Sequence, residues 1–434
     1  MTDQAASPTA APMGVRDILR IRDYRLLISG QAVSDIGDGI TFLLLLLVVM
    51  ELTGSNSMLA LMAIAEAVPQ FTVGLMAGVY VDRWNRRNVM LAADLLRAVI
   101  VMAFALVSVV GFVPLLYVLG FAQSSISTFF RPARGALLPR IVPAEGLPAA
   151  NSLAQASQVL GTVIGAGIAG LIFSAFGSGV IGFAIDALTF VVSFLLISRI
   201  GGEVGRIRTE SRTEQPDVRR ALAEGIAIVR GSRLLLGSLI AAAVSMLGLG
   251  AVNVLFVPLI VKDLEVNPAW MAGIEFAQTA AMIMAAGVVS LLVRRFAPTT
   301  IITVALAGIG ICIGFMSGVT AVWQVIALLF VVGWMVTPLQ AMLQTIVQTA
   351  STDATRGRVV SILQASLSTA SVVSMAIGGV LGDLIGIRAV YLAAAVLVIV
   401  AAGISFLVFR GVPVKPPATM TEPEAGLSAG SLSG

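Results

Sequence analysis

Seven ionisable side chains lie inside long apolar runs of this sequence: Asp35, Asp38, Glu66, Asp94, Arg97, Asp186 and Glu275. A charge in hydrocarbon is costly, so each is a candidate for ion transfer or binding. Asp35 and Asp38 are three residues apart, which puts them on one face of a helix. Asp94 and Arg97 share that spacing, and an ion pair between them would serve structure. Asp38 stands about twelve residues into its run, ~18 Å along a helix and near mid-membrane. It is the leading candidate for proton coupling, with Asp35 as partner or gate; the alternative is a bridge between helices that only stabilises. Glu66, beside Pro69, could gate or couple. Asp186, a further coupling candidate, and Glu275 fall near the outer ends of their runs, where water could hydrate them. No histidine occurs, and neither lysine (Lys262, Lys415) lies in a run. Proton exchange would therefore use carboxyls, whose charged form burial disfavours.

The runs themselves define the class. Of the 434 residues, 58% are hydrophobic and 12% charged, and mean hydropathy is +1.00. Soluble domains carry about 25% charge, so the expectation is an all-α integral membrane protein. Apolar segments between charged or Pro/Gly breaks give twelve spans: roughly 26–50, 57–81, 88–111, 113–137, 147–176, 179–199, 234–260, 269–293, 299–319, 321–349, 358–384 and 389–410. The expected organisation is a tail at 1–25, a six-helix bundle at 26–200, a basic linker at 201–233, a second six-helix bundle at 234–410 and a disordered tail at 411–434. The first residues carry no apolar core or cleavage site of a removable signal.

Basic residues orient the spans. With both termini inside, 24 of 27 fall on the cytoplasmic side, Lys262 and Arg388 fall outside, and Arg97 lies within the third span. This predicts a multi-pass protein of the cell membrane with cytoplasmic termini. Residues 217–229 read as an amphipathic surface helix. The arginines of the linker point to anionic lipid rather than nucleic acid. The halves also repeat. An offset of 209 matches Ser152 with Ser361, Gln155 with Gln364, Ser157 with Ser366, Gly170 with Gly379 and Gly177 with Gly386, as two parallel repeats would.

Between spans two and three, Gly78 precedes Asp82 by four residues, and Arg83, Arg86 and Arg87 follow. A turn on the positive side needs only the arginines. Gly78 would admit a close helix, and Asp82 suits a helix N-terminus or a basic partner. The stretch resembles the G-x-x-x-D-R-x-x-R-R loop of the major facilitator superfamily. The resemblance implies that fold, twelve helices in two six-helix parallel pseudo-repeats, and sets the loop against span eleven as a conformational switch. Further segments resemble the branch that holds macrolide-efflux proteins and the enterobactin exporter: Gly37-Asp38-Gly39, Phe130 to Pro139, Leu147 to Ser152, Asp186 to Phe190 and Arg356-Gly357-Arg358. Span five carries Gly161, Gly165 and Gly170 in a pattern similar to the antiporter signature G-x-x-x-G-P-x-x-G-G, with Ala166 at the proline and Ala169 at the first paired glycine. Such spacing also serves helix packing alone.

What the resemblance implies is a secondary active exporter working by alternating access in exchange for protons. The expected partners are an amphipathic small molecule (a drug, antibiotic or siderophore-like metabolite), membrane lipids and protons, and the expected working unit is a monomer. A lipid or lysophospholipid flippase of the same fold, without proton coupling, is the alternative. No enzyme is expected, since the sequence offers no phosphate-binding loop and no histidine. No cofactor or metal is expected either, and Cys312 is the only cysteine. Gln31, Gln123, Gln155, Gln278, Gln344, Gln348, Gln364 and Asn253 could line a cavity or join helices by hydrogen bonds. Methionines, phenylalanines and Trp334 could supply its apolar wall or pack the core.

Overall fold

The structure, a computed structural model, describes residues 13–205 and 218–410; the first twelve residues of the expected tail at 1–25, the middle of the linker and the whole expected tail at 411–434 lie outside the described residues. All regular elements among the described residues are helices. In order they are α1 (Val15–Arg20), α2 (Arg22–Thr53), α3 (Asn56–Thr72), α4 (Gly74–Arg83), α5 (Arg86–Val110), α6 (Val113–Ile141), α7 (Leu147–Phe176), α8 (Val180–Ser198) and α9 (Val218–Gly231). After these come α10 (Arg233–Pro258), α11 (Trp270–Arg295), α12 (Pro298–Met316), α13 (Val322–Ala350), α14 (Asp353–Leu384) and α15 (Ile387–Phe409). Helix α1 lies within the segment expected as a tail at 1–25 and buries Ile18 fully.

Eleven of these helices are long and apolar enough to cross a membrane. The remaining expected span, the second, 57–81, is α3 followed by α4, interrupted at Val73. Pro69 lacks an N–H, but Val73 N still donates to Pro69 O (2.9 Å) and Ala77 N to Val73 O (2.8 Å). The chain therefore kinks without turning back. Side-chain caps mark several starts: Ser55 for α3, Asn85 for α5 and Ser232 for α10 accept backbone N–H groups of the first turn. Gly177 and Gly386, paired by the repeat, both take positive φ (59° and 87°), a conformation glycine adopts without a Cβ clash.

Packing repeats as the sequence does. In the first half α2 lies on α7 and α8, α5 on α6 and α8, and α3 on α6. In the second half α10 lies on α14 and α15, α12 on α13 and α15, and α11 on α13. These are the same pairings displaced by six spans. Small residues allow the closest approaches. A Cβ at Gly161 would stand 2.5 Å from Asp35 Cβ, and one at Gly165 would stand 2.7 Å from Gly39 Cα, so these glycines seat α7 on α2. Gly170 faces the other half, where a Cβ would lie 2.5 Å from Pro268 O.

The halves meet through α3 with α14 and α7 with α11, toward the end of the bundle away from the arginine-rich loops. There Asp383, at the end of α14, accepts from Asn56 N (2.8 Å), Ser57 N (2.9 Å), Ser55 Oγ (2.8 Å) and Ser57 Oγ (2.6 Å). The carboxylate thus caps the positive N-terminus of α3. The repeat-related position is Ser174 on α7, whose hydroxyl donates to Asn267 beside the start of α11. Lys262 Nζ also donates to Gly54 O across the halves (2.9 Å).

Candidate functional site

Three contiguous cavities occupy the middle of the molecule. One lobe, about 460 Å³, belongs mainly to the first half and is lined by Asp38, Glu66, Arg97 and Gln123. A larger lobe of about 710 Å³ lies in the second half and is lined by Glu275, Gln278 and Gln344. Asn253 borders both. A third space of about 540 Å³ lies between the halves toward the arginine-rich end, lined by Arg131 on α6 and Ser361 on α14. It shares Gln70 with the smaller lobe and Gln364 with the larger. With the halves joined at the opposite end, this space is the approach to the chamber.

The first lobe is built around one guanidinium. Arg97, on α5, donates to Asp38 on α2, a partner 59 residues away and on a different helix. The expected pair with Asp94 is not the one formed. Helix α5 faces α8 and α6, and Arg97 lies 4.1 Å from the ring centroid of the fully buried Phe190, a cation–π contact that aims it at α2. Its Nε has no partner among the described residues. Asp94 is wholly buried, with Ser193 of α8 as its polar neighbour.

The other carboxyls gather around this pair. Asp35 accepts from Ser157 Oγ of α7 (2.9 Å). Asp186 accepts from Thr41 Oγ1 of α2 (2.5 Å) and from its own neighbour Thr189 (2.9 Å). Hydration near an outer end does not describe Asp186, which is 0% exposed. The reason is that Gly37 leaves α8 no Cβ to clear at that point on α2. Glu66 enters the lobe from α3, where Ser124 Oγ holds its backbone carbonyl (2.5 Å) and its Oε2 is buried without a partner among the described residues. Asp35, Asp94 and Asp186 all feel the charges of Asp38 and Arg97. Glu275 stands apart, in the other lobe.

Gly78 to Arg83 complete α4, and Arg86 and Arg87 open α5, leaving Trp84 and Asn85 as the turn. The surroundings of Gly78 and the side chain of Asp82 lie outside what the structure describes. Arg83 is exposed and Arg86 is buried. Arg87 donates to Ile197 O (3.3 Å) and Ser198 O at the C-terminus of α8, where a cation is favoured. Of the expected polar lining, Gln123, Gln278, Gln344, Gln364 and Asn253 border the chamber, whereas Gln31, Gln155 and Gln348 do not, nor does Trp334 of the expected apolar wall. The Asp383 cap was not anticipated. Its signal in the sequence is an acid one turn beyond Gly379, the glycine paired with Gly170.

The transmembrane secretion effector family matches residues 17–423, nearly the whole chain. The chain belongs to that family, within the efflux branch of the major facilitator superfamily. It is 28% identical to macrolide efflux protein A of Streptococcus pyogenes over 54% of this chain, a match spanning 58% of that protein's length. Multidrug efflux pump Tap of Mycolicibacterium fortuitum is 26% identical, over 82% of this chain and 88% of Tap. MFS-type transporter YfiS of Bacillus subtilis is 25% identical, over 86% and 90%. Among solved structures, the POT family transporter PepTSo superposes with a TM-score of 0.71 at 14% identity, covering 90% of this chain and 98% of that one. The nucleoside transporter NupG gives 0.69 at 12% identity, covering 89% and 99%. These likenesses carry the fold: the chain is a multi-pass membrane protein of the major facilitator architecture, in a family of transporters and not of enzymes.

Proposed function

We propose that this chain is a secondary active exporter that moves an amphipathic small molecule out of the cytoplasm by alternating access, in exchange for protons. The observation that carries the reading is the Asp38–Arg97 pair at the wall of a chamber between two repeat-related halves. Five carboxyls (Asp35, Asp38, Glu66, Asp94, Asp186) surround one buried guanidinium. Arg131 and Arg134 of α6 add positive charge near Asp38 and Asp35, but five ionised carboxyls in low dielectric still outnumber these cations, and protons or substrate balance the excess. Asp38 is the coupling carboxyl, because its side chain is 42% exposed to the chamber while that of Arg97 is 5% exposed. Asp35, Glu66 and Asp186 tune or gate it.

The arginine-rich end faces the cytoplasm of the cell membrane, both termini lie there, and the monomer is the working unit. In the arrangement described, the chamber is approached from that end, and the Asp383 cap holds the far end closed. The loop of Gly78, Asp82, Arg83, Arg86 and Arg87 acts in the conformational exchange. Relatives named as macrolide and multidrug efflux proteins support an apolar drug-like cargo. The test is transport in proteoliposomes under an imposed pH gradient, with macrolides, dyes, siderophores and lysophospholipids as cargo. Wild type should drive cargo against its gradient, and Asp38→Asn should fold yet lose gradient-driven transport while retaining exchange. Movement of lipid alone, without a gradient, would replace this reading with that of a flippase.

A further inference from the structure

The two lobes of the chamber differ in charge balance. In the first, Arg97 stands among the carboxyls and answers Asp38. In the second, Glu275 is the only charged residue on the lining, and among the described residues it has no hydrogen-bond or ion-pair partner. Helix α11 carries it about one and a half turns from its start at Trp270. An ionised carboxyl there lacks a protein countercharge, and an ion taken from water without compensation is unfavourable.

The rest of the lobe indicates what would compensate it. Gln278, one turn along α11, with Asn253 on α10 and Gln344 on α13, offers neutral amides that both donate and accept. Phe256 and Met282 belong to the mainly apolar wall, and aromatic faces and thioethers suit a soft organic cation. A space of about 710 Å³ falls within the ~300–1,000 Å³ range of pockets that enclose drug-sized molecules. An anionic cargo would meet Glu275 with no cation beside it.

We infer that the second-half lobe is the recognition site for a monocationic amphiphile whose ammonium pairs with Glu275 while its apolar body lies along the wall. This rests on the export reading for its physiological role and assigns the two halves different tasks: cargo charge is read in the second half, and coupling occurs in the first.

Equilibrium binding to the purified full chain in detergent tests the site without requiring transport. The probes are tetraphenylphosphonium and its isosteric anion, tetraphenylborate. Wild type should bind the cation at least about tenfold more tightly than the anion. Glu275→Gln should lose about tenfold or more in cation affinity, while Glu275→Asp, which keeps the charge, should retain most of it. Equal affinity of wild type for cation and anion, a comparison that needs no variant, would overturn the site, as would unchanged cation binding in a folded Glu275→Gln protein. Wild-type protein that binds the cation but never drives a cargo across a proteoliposome membrane would overturn the export reading and leave the site standing.

Discussion

At the scale of single residues, the decisive feature is where Arg97 points. Its guanidinium is held by the ring of Phe190 on one side and takes Asp38 on the other. Both contacts depend on a flat, delocalised cation, which stacks and hydrogen-bonds at once. Lysine would keep the charge and lose the geometry. We therefore expect Arg97→Lys to unfold at nearly the wild-type temperature in detergent but to transport several-fold more slowly under a pH gradient. Wild-type rates in that variant would show that a point charge suffices and that the stack with Phe190 has no part in turnover.

At the scale of elements, the helices carry their functional residues in repeat-related positions with different chemistry. Gly170 and Gly379 each bring a helix of one half against the start of a helix in the other. One turn on, the first repeat places Ser174 and the second places Asp383. The serine makes a neutral bond to Asn267, whereas the carboxylate gathers four donors at the N-terminus of α3. Asp383→Asn keeps an acceptor and loses the charge, a change of ~0.3–1 kcal/mol at an exposed helix terminus. In a balanced two-state equilibrium that is roughly a two- to fivefold shift toward opening at this end. In a Cys312→Ser background, a cysteine at Asn253, which borders both lobes, should then react faster with an impermeant thiol reagent added outside. An unchanged rate would remove Asp383 from the gate.

At the scale of the whole molecule, orientation is the property with the widest consequences, because it decides whether cargo enters or leaves. Single cysteines at Ser178 or Thr320, in turns at the joined end, should be labelled by an impermeant reagent in intact cells. One at Glu145, an exposed position at the arginine-rich end, should be protected until the membrane is opened. Both positions avoid glycines such as Gly54 and Gly177, whose positive φ would strain a cysteine. Labelling at position 145 in sealed cells would invert the topology and with it the direction of transport.

The sequence by itself determined what local chain chemistry and the membrane dictate. Run length against hydrocarbon thickness set the spans, and the 209-residue offset announced two halves whose packing pairs repeat. The span expected at 57–81 is broken at Val73, because whether a proline such as Pro69 kinks a helix or ends it depends on its neighbours. Only the tertiary structure decided which charges meet. Spacing of three residues made Asp94 the evident partner of Arg97, yet the guanidinium crosses to Asp38 because the rotation of α5 is fixed by its packing on α8 and α6. The same holds for the burial of Asp186, the cap formed by Asp383 and the separation of Glu275 into its own lobe. Each joins residues far apart in the chain, and no periodicity within one helix encodes the face that another helix will present.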